Sequence, residues 1–321
     1  MADRFAALAS CLDRRLPVAV QTHDYPDIDA VASAWALADL LRRNGFEAGC
    51  GYRGELKSRS LKSLVGKLGI DVRPVGEGVK ELQVLVVDGS PGNGNVTLGS
   101  GTLVAVIDHH FKTDEAEVPY LDLRPELAAC STMIRGYWAD AGLAPSRDVA
   151  TALLAGIQSD TDFLSRRCSD EDFAAYSFLY REGDWELASG IVRTVLDLRE
   201  LGLIVSAIEG AVVRNGLLFA FMNGPCGQEA LAVLAEFALR AEELSAAVVA
   251  ELDEGGVHFS IRSRSAEVSA FDLVRAALAG IGTGGGHDHS AGGVVSAESD
   301  PGEDAIRERF FQAAADAAAK R

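Results

Sequence analysis

The 321-residue chain lacks the marks of a secreted, membrane-bound or thiolate-ligated protein. Its five cysteines are scattered and include no Cys-x-x-Cys pair, which argues against a disulfide framework and a thiolate zinc site. No stretch approaches the roughly 20 uninterrupted apolar residues of a membrane span. Charged residues interrupt the amino-terminal segment that a signal peptide would keep apolar, so we expect a cytoplasmic protein.

Positive charge is also scarce. Thirty Lys and Arg stand against 47 Asp and Glu, which gives a net charge of −17. A surface this acidic repels a phosphate backbone, so long nucleic acid is not the expected partner. Small anionic substrates remain open because divalent cations bound in an acidic pocket invert its local field.

The length and the 48% hydrophobic share are sufficient for two domains with separate cores. In the first half, apolar runs alternate with helical patterns, and a region from 129 to 200 is mostly helical. We predict strands at 16–23, 46–52, 81–90 and 101–110 and a helix at 29–45. This alternation predicts an α/β fold in which helices cover both faces of a mainly parallel sheet.

The last third predicts a second, smaller α/β unit. Its pattern gives a helix at 228–244, strands at 246–254 and 256–265, a helix after Ser269, a glycine-rich loop and a final helix from about Glu303. We therefore assign a catalytic domain to residues 1–195, a linker to 196–214 and a substrate-binding domain to 215–321.

Carboxylates or histidines follow four apolar runs. The segments are THDYPDIDA (22–30), VVDGS (86–90), IDHH (107–110) and IQSDTD (157–162). Because the carboxyl ends of parallel strands lie along one edge of a sheet, where ligands bind, we expect these segments to converge. Each also has a purely structural interpretation: a helix cap for Asp27 or Asp29 and for Asp160 or Asp162, an Asp-Gly turn for Asp88, and a hydrogen-bonded core residue for a single histidine of IDHH. None of these explains His23 or the adjacent pair of histidines.

Together the segments provide two imidazoles and four carboxylates as candidate metal ligands: His23, Asp27, Asp29, Asp88, His109 and Asp160. Oxygen-rich ligation with few imidazoles favours Mn²⁺, or Mg²⁺ as the alternative, over structural zinc. Two such ions, about 3.5 to 4 Å apart, position water and phosphoryl oxygens during in-line displacement at phosphorus. His110, beside Asp108, is the candidate proton donor or phosphate ligand.

A second group of candidates is found near the carboxyl terminus. The stretch TGGGHDHSAGG (283–293) offers backbone N–H groups that an anion can approach, although a flexible surface turn is the alternative. Arg262 and Arg264 alternate on a predicted strand and so face one side of it, as phosphate ligands or as a solvated face. The candidate substrate contacts are Arg262, Arg264, Gly285, Gly286 and His287.

These segments, in this order, resemble the motifs of the DHH phosphoesterase superfamily, and GGGHDHSAGG resembles the signature of its DHHA1 domain. The resemblance covers nearly the whole chain. It implies two domains facing each other across a cleft, with two Mn²⁺ ions in the first and the far end of the substrate held by the second. It also implies that Asp88 and Asp29 are shared between ions and that His110 acts on the phosphate. Two departures are Ile28 and Asp162, where relatives often have smaller residues.

The short two-domain form is similar to the oligoribonuclease and 3′-phosphoadenosine-5′-phosphate phosphatase group, which is related to RecJ-like exonucleases. We therefore expect a Mn²⁺-dependent phosphoesterase that hydrolyses short oligonucleotides or nucleoside bisphosphates. The alternatives are a phosphoanhydride hydrolase acting on pyrophosphate or short polyphosphate, and a nucleotide-binding regulator without catalysis. We expect no membrane partner, and the sequence is compatible with a homodimer.

Overall fold

The structure is a computed structural model, and it describes residues 3–75, 82–92, 95–110, 117–166, 168–224, 226–265 and 267–319. The chain divides into two compact units, Met1–Thr194 and Val195–Arg321. Each unit combines helices with a six-stranded sheet, which agrees with the predicted α/β class. Among the described helices, none has both the length and the hydropathy needed to cross a membrane.

The first unit is built on a parallel sheet. Its strands are β1 (Val18–Asp24), β2 (Ala48–Arg53), β3 (Val72–Pro74), β4 (Gln83–Val87), β5 (Thr102–Asp108) and β6 (Tyr120–Leu123). Their order is β3-β2-β1-β4-β5-β6, and every neighbouring pair is parallel, as predicted. The order reverses between β1 and β4, and ligands of open parallel sheets bind at such a reversal. Glu81, in the predicted strand 81–90, lies outside the described residues.

The helices of this unit pack on one face of that sheet. They are α1 (Arg4–Ser10), α2 (Ile28–Arg43), α3 (Arg59–Leu68), α4 (Cys130–Asp140), α5 (Arg147–Thr161), α6 (Asp170–Glu182) and α7 (Trp185–Arg193). Their apolar side chains share one core with Leu85 and Ile107. Val84, Val86 and Val106 point to the other face, where they pack against residues outside helices. The helical cover predicted for both faces is therefore found on one face within the described ranges, because irregular segments fill the other.

The second unit has a mixed sheet with helices on both faces. Its elements are α8 (Leu198–Glu209), β7 (Val212–Arg214), β8 (Leu217–Met222), α9 (Gln228–Ala238), β9 (Ala246–Asp253), β10 (Gly256–Ser263), α10 (Ala270–Leu278), β11 (Thr283–Gly286), β12 (Ser290–Ser296) and α11 (Glu303–Ala319). The sheet order is β11-β12-β10-β9-β8-β7. Alternate residues of a strand face opposite sides. Accordingly, Phe219 and Val248 pack with α10 and α11, whereas Leu218 and Val249 pack with α8 and α9.

The predicted linker 196–214 is instead part of the second unit, where it forms α8 and β7. A capping box starts α8, because the Asp197 side chain accepts from Glu200 N and the Glu200 side chain accepts from Asp197 N. Ala207 of this helix is buried in the core under the sheet. The segment 196–214 is therefore an ordered part of the second unit and not a flexible linker.

The predicted glycine-rich loop forms most of a β-hairpin, in which Gly284 pairs with Gly293 and Gly285 with Gly292. A Cβ on Gly284 would lie 2.6 Å from the Val274 side chain, so the lack of a side chain lets α10 pack directly on β11. Gly284 and Gly293 thus serve close helix packing, which sequence composition alone does not distinguish from flexibility.

Replacing Gly284 by Ala should lower the free energy of unfolding by about 1 to 3 kcal/mol, because the new methyl group would overlap Val274. Gly285→Ala is the matched control, since a Cβ there meets nothing within 4 Å. Urea denaturation followed by circular dichroism would compare the two variants. Equal urea midpoints for the two variants would show that the packing of α10 on β11 does not require glycine at position 284.

Candidate metal centre

The turn between β1 and α2 presents three of the predicted ligands. His23 lies near the end of β1, Asp27 is the N-cap of α2, and Asp29 is in its first turn. The Asp27 side chain accepts from Ala30 N at 3.0 Å, so the capping interpretation is correct for this residue. The same carboxylate also lies with His23 and Asp88 in a group whose ligand atoms are within 4.8 Å of one another.

Asp29 does not cap its own helix but contacts another one. It is fully buried, and its two oxygens accept from Cys130 N at 2.6 Å and Ser131 N at 2.9 Å, at the start of α4. The amino terminus of a helix carries partial positive charge and unpaired N–H groups, which stabilise a carboxylate there. Sequence analysis alone did not reveal this contact across 101 residues.

Asp88 and His109 follow the neighbouring strands β4 and β5. Asp88 Oδ1 lies 3.1 Å from His109 Nε2, and Asp88 Oδ2 lies 3.7 Å from His23 Nε2. Asp88 has a φ of 58°, a left-handed conformation that Asp tolerates better than most residues. This turn directs the carboxylate between the two imidazoles.

Asp160 comes from a helix and not from a strand end. It lies in the last turn of α5, with Oδ2 at 3.6 Å from His109 Nε2. The proposal that Asp160 or Asp162 caps the following helix is wrong, because Ser169 caps α6 and Asp162 is the C-cap of α5. Asp162 has a φ of 45°, which explains why a residue as small as glycine suits this position. The other departure, Ile28, is a buried core residue.

The structure therefore brings all six predicted ligands together. Three overlapping groups have ligand atoms within 4.8 Å of one another: His23, Asp27 and Asp88; Asp29, His109 and Asp160; and Asp88, His109 and His110. Asp88 and His109 each belong to two groups, and the sharing of Asp88 between two ions stays a prediction. Asp29 belongs to one.

The imidazoles are oriented by contacts on their outer nitrogens. His23 Nδ1 lies 2.9 Å from the carbonyl oxygen of Asp24, and His109 Nδ1 lies 3.3 Å from that of Leu127. A carbonyl oxygen only accepts, so each Nδ1 donates and each Nε2 faces the carboxylates, where it can bind a metal ion once it has lost its proton. Histidine ligands of metals are commonly fixed in this way.

These residues fit a divalent cation. Within the described part of the chain, Asp88 Oδ1 and His109 Nε2 are buried atoms without a well-aligned hydrogen-bond partner, although they lie 3.1 Å apart. Buried polar atoms are rarely left in this state. Four carboxylates and two imidazoles form a donor set that suits Mn²⁺ or Mg²⁺.

The pKa values show how strongly the acidic groups affect one another. Burial raises the pKa of Asp29 to about 7, assisted by the negative charge of Asp88. Burial would also raise the pKa of Asp88, but the close contact with His109 and the charge of that ring outweigh it and lower the value to about 2. Burial raises the pKa of Asp160 as well. The site thus needs added positive charge to hold every carboxylate ionised.

Asp108 and His110 form a unit beside the cluster. Buried Asp108 accepts from Ser90 Oγ at 2.8 Å, and its other oxygen lies 2.8 Å from His110 Nδ1. Asp108 is therefore placed to orient His110, while its own oxygens lie outside the three groups of ligand atoms. The sequence did not mark Ser90 as a site residue, although its position two residues after Asp88 would have suggested that it lies near the ligands.

In the second unit, the two predicted arginines have protein partners. Arg262 Nε lies 3.0 Å from Glu236 Oε1, and Arg264 donates to carbonyl oxygens at the end of α9, including that of Leu239 at 3.1 Å. Both side chains thus lie on the side of the sheet that α9 covers. The N–H of His287 donates to Ser290 O at 2.7 Å within the hairpin turn. Substrate binding by these residues and by Gly285 and Gly286 stays a prediction.

Two family matches follow the two units. Residues 17–157 match the DHH family, N-terminal domain, and residues 215–319 match the DHHA1 domain. The motifs quoted from the sequence fall inside these ranges, apart from IQSDTD, of which only Ile157 lies within the first match.

Similar proteins extend the comparison. An uncharacterized protein of Methanocaldococcus jannaschii is 28% identical over 313 residues, which cover 94% of this chain and 64% of that protein. A probable manganese-dependent inorganic pyrophosphatase of Deinococcus radiodurans is 31% identical over 170 residues, 50% of this chain and 52% of that protein. The chain therefore spans less than two thirds of the length of either relative.

A solved structure shares the fold. The crystal structure of an exopolyphosphatase-related protein from Bacteroides fragilis gives a TM-score of 0.78 and covers 98% of this chain and 96% of that one. The sequence identity is 16%, so this similarity concerns the fold alone.

Gly156→Ala should weaken Mn²⁺ binding by about 10-fold or more, because losing the support of a ligand typically costs that much. A Cβ on Gly156 would lie 2.2 Å from Ser131 Oγ and 2.6 Å from Asp29 Oδ1, so Asp29 must move. Gly190→Ala, in the helix α7, is the matched control because a Cβ there meets nothing within 4 Å. Calorimetric titration would measure the affinities, and equal values for both variants would contradict the packing argument.

Mn²⁺ binding should strengthen as the pH rises. Burial lowers the pKa of His23 and of His109, but nearby carboxylates outweigh it and raise both values, and the pKa of Asp29 is about 7. The metal-free site therefore holds protons near neutral pH that ligation must expel, so affinity should grow between about pH 6 and pH 8, by up to about tenfold per unit for each proton. Titration in buffers of different ionisation enthalpy would count these protons. A Mn²⁺ affinity that does not change with pH would show that binding does not release protons from these residues.

Proposed function

The chain belongs to the DHH phosphoesterase superfamily, and on that premise we propose that it is a Mn²⁺-dependent phosphoesterase that hydrolyses short oligonucleotides or nucleoside bisphosphates. The observation that carries the proposal is the convergence of six ligand side chains from four distant segments at one end of the first sheet. A purely structural cluster of buried carboxylates would be costly to maintain, because like charges oppose one another in a low dielectric.

The ligand set supports chemistry at phosphorus. When bound, divalent ions would neutralise charge on phosphoryl oxygens and lower the pKa of water. His23, Asp27 and Asp88 would hold one ion, and Asp29, His109 and Asp160 the other, with Asp88 between them.

His110 has a separate task. Its Nδ1 lies 2.8 Å from Asp108 Oδ1, so the ring is held beside the cluster with its orientation fixed. In that position it would bind the phosphate or pass a proton to the leaving oxygen. Asp108 acts through His110 and is a positioning residue.

The net charge of −17 supports a small substrate. A long strand would approach an acidic surface over many phosphates, whereas a short one needs only the pocket to be electropositive. Short oligonucleotides and nucleoside bisphosphates meet this condition.

Hydrolysis of pyrophosphate or short polyphosphate is the second candidate. It is favoured by the similarity to the probable manganese-dependent pyrophosphatase of Deinococcus radiodurans, which extends over half of the chain. The match of residues 215–319 to the DHHA1 domain weighs against pyrophosphate as the substrate. The similarity to the pyrophosphatase covers only 50% of this chain, so it supports the shared centre more than a shared second domain.

Asp88→Asn should reduce hydrolysis by about 100-fold or more, because the shared ligand loses its charge and the site loses several kcal/mol of electrostatic stabilisation. Asn also tolerates the left-handed backbone of Asp88, so the fold should be retained. The assay would compare a dinucleotide, 3′-phosphoadenosine-5′-phosphate and pyrophosphate with Mn²⁺, before and after chelation.

Asp304→Asn, an equivalent change at an exposed position of α11, is the control for that experiment. Activity that survives both chelation and the loss of the Asp88 carboxylate would overturn the mechanism. A preference for pyrophosphate over both nucleotides would favour the second candidate.

A further inference from the structure

The first unit has a cleft beside the turn that carries His23 and Asp27. Its volume is about 350 Å³, and it lies at the carboxyl ends of β1 and β2. The described residues that line it are Asp24, Tyr25, Tyr52, Arg53, Gly54, Pro74, Val75 and Thr97. Asp24 and Tyr25 belong to the same turn that carries His23 and Asp27, so the cleft adjoins the metal centre.

Tyr25 is both strained and exposed. Its φ of 54° is a conformation that aromatic residues rarely adopt, and 57% of its surface is accessible. The conformation is held in place, because Tyr25 N donates to Arg53 O at 3.0 Å. Strain of this kind persists only where the surrounding structure imposes it, and it is concentrated at functional sites.

Gly54 and Lys57 fix the Tyr25 ring. A Cβ on Gly54 would lie 2.8 Å from two ring carbons, so the ring rests directly against the backbone of this glycine. Lys57 Nζ lies 4.5 Å from the ring centroid, a cation–π distance. The ring is therefore preorganised, and more than half of the residue's surface is exposed to solvent.

The other groups in the cleft suit a nucleoside better than inorganic phosphate. Tyr52 supplies a second aromatic ring and Arg53 a guanidinium group. The Asp24 carboxylate is engaged by Thr97, which donates from its N–H and its hydroxyl. Aromatic rings gain little from contact with phosphate but stack well on bases, whereas a guanidinium group binds either the phosphate or the base edge.

We propose that this cleft binds the nucleobase next to the scissile phosphate, with Tyr25 as the stacking platform. The inference rests on the proposed phosphoesterase function and narrows its substrate class to nucleotides. It also accounts for an exposed tyrosine where the backbone itself favours glycine.

The test uses the full-length protein with Mn²⁺ and compares binding of 5′-AMP with binding of inorganic phosphate by calorimetry. Tyr25→Gly should weaken 5′-AMP by about tenfold, a typical loss for one base–aromatic stack, and leave phosphate binding unchanged. Because glycine accepts the positive φ without strain, this variant should fold at least as stably as the parent. Tyr25→Trp should retain 5′-AMP binding. Tyr180→Ala, at an exposed tyrosine of α6, is the control.

Kinetics would provide a second readout. Tyr25→Gly should raise KM for a dinucleotide by about the same factor with little change in kcat, because the ring binds the base and takes no part in the chemical step. The inference is overturned if Tyr25→Gly binds 5′-AMP as tightly as the parent protein, or if it loses phosphate binding to the same extent. If 5′-AMP binding depends on Tyr25 but no substrate is hydrolysed, the proposed base-binding cleft is supported and the proposed phosphoesterase function is contradicted.

Discussion

The carboxylates of the candidate metal centre repel one another, most strongly where Asp29 and Asp88 are buried, and the first unit has to balance that repulsion. Asp88 stays ionised because His109 lies 3.1 Å away, whereas Asp29 and Asp160 have raised pKa values. Other features of the site follow from this constraint. The imidazoles turn their Nε2 atoms inward, and α4 directs its first amides at Asp29.

Backbone strain is concentrated in the same part of the molecule, next to the candidate ligands. Among the described residues, the non-glycine positions with positive φ are Tyr25, Asp88, Asp162, Phe163, Leu164 and Asn215. All except Asn215 lie in turns beside a ligand segment. Regular strands and helices cannot by themselves aim side chains from four segments at one point, so the connections between them take up unusual conformations.

The sequence predicted the parallel sheet well because strands buried on both faces read as continuous apolar runs, as QVLVV in β4 does. It also predicted that six candidate ligands converge, since ionisable residues at the ends of such runs are unusual, and the structure places them in adjoining groups. It grouped Asp160 with the strand ends, although the region from 129 to 200 was predicted to be mostly helical, because an apolar run into a polar tip looks alike in both elements. The hairpin of β11 and β12 was taken for a loop, since glycines that admit a packed helix look the same as glycines in a turn. The contact of Asp29 with α4 and the strain at Tyr25 depend on tertiary geometry, which local patterns do not encode.

The two hydrogen bonds from the first amides of α4 to Asp29 also affect how the charge of the centre is balanced when its cations are exchanged. Part of the countercharge of the centre is built into peptide groups, which cannot dissociate or be extracted by a competing chelator. Loss or exchange of a bound cation would therefore leave this part of the countercharge in place.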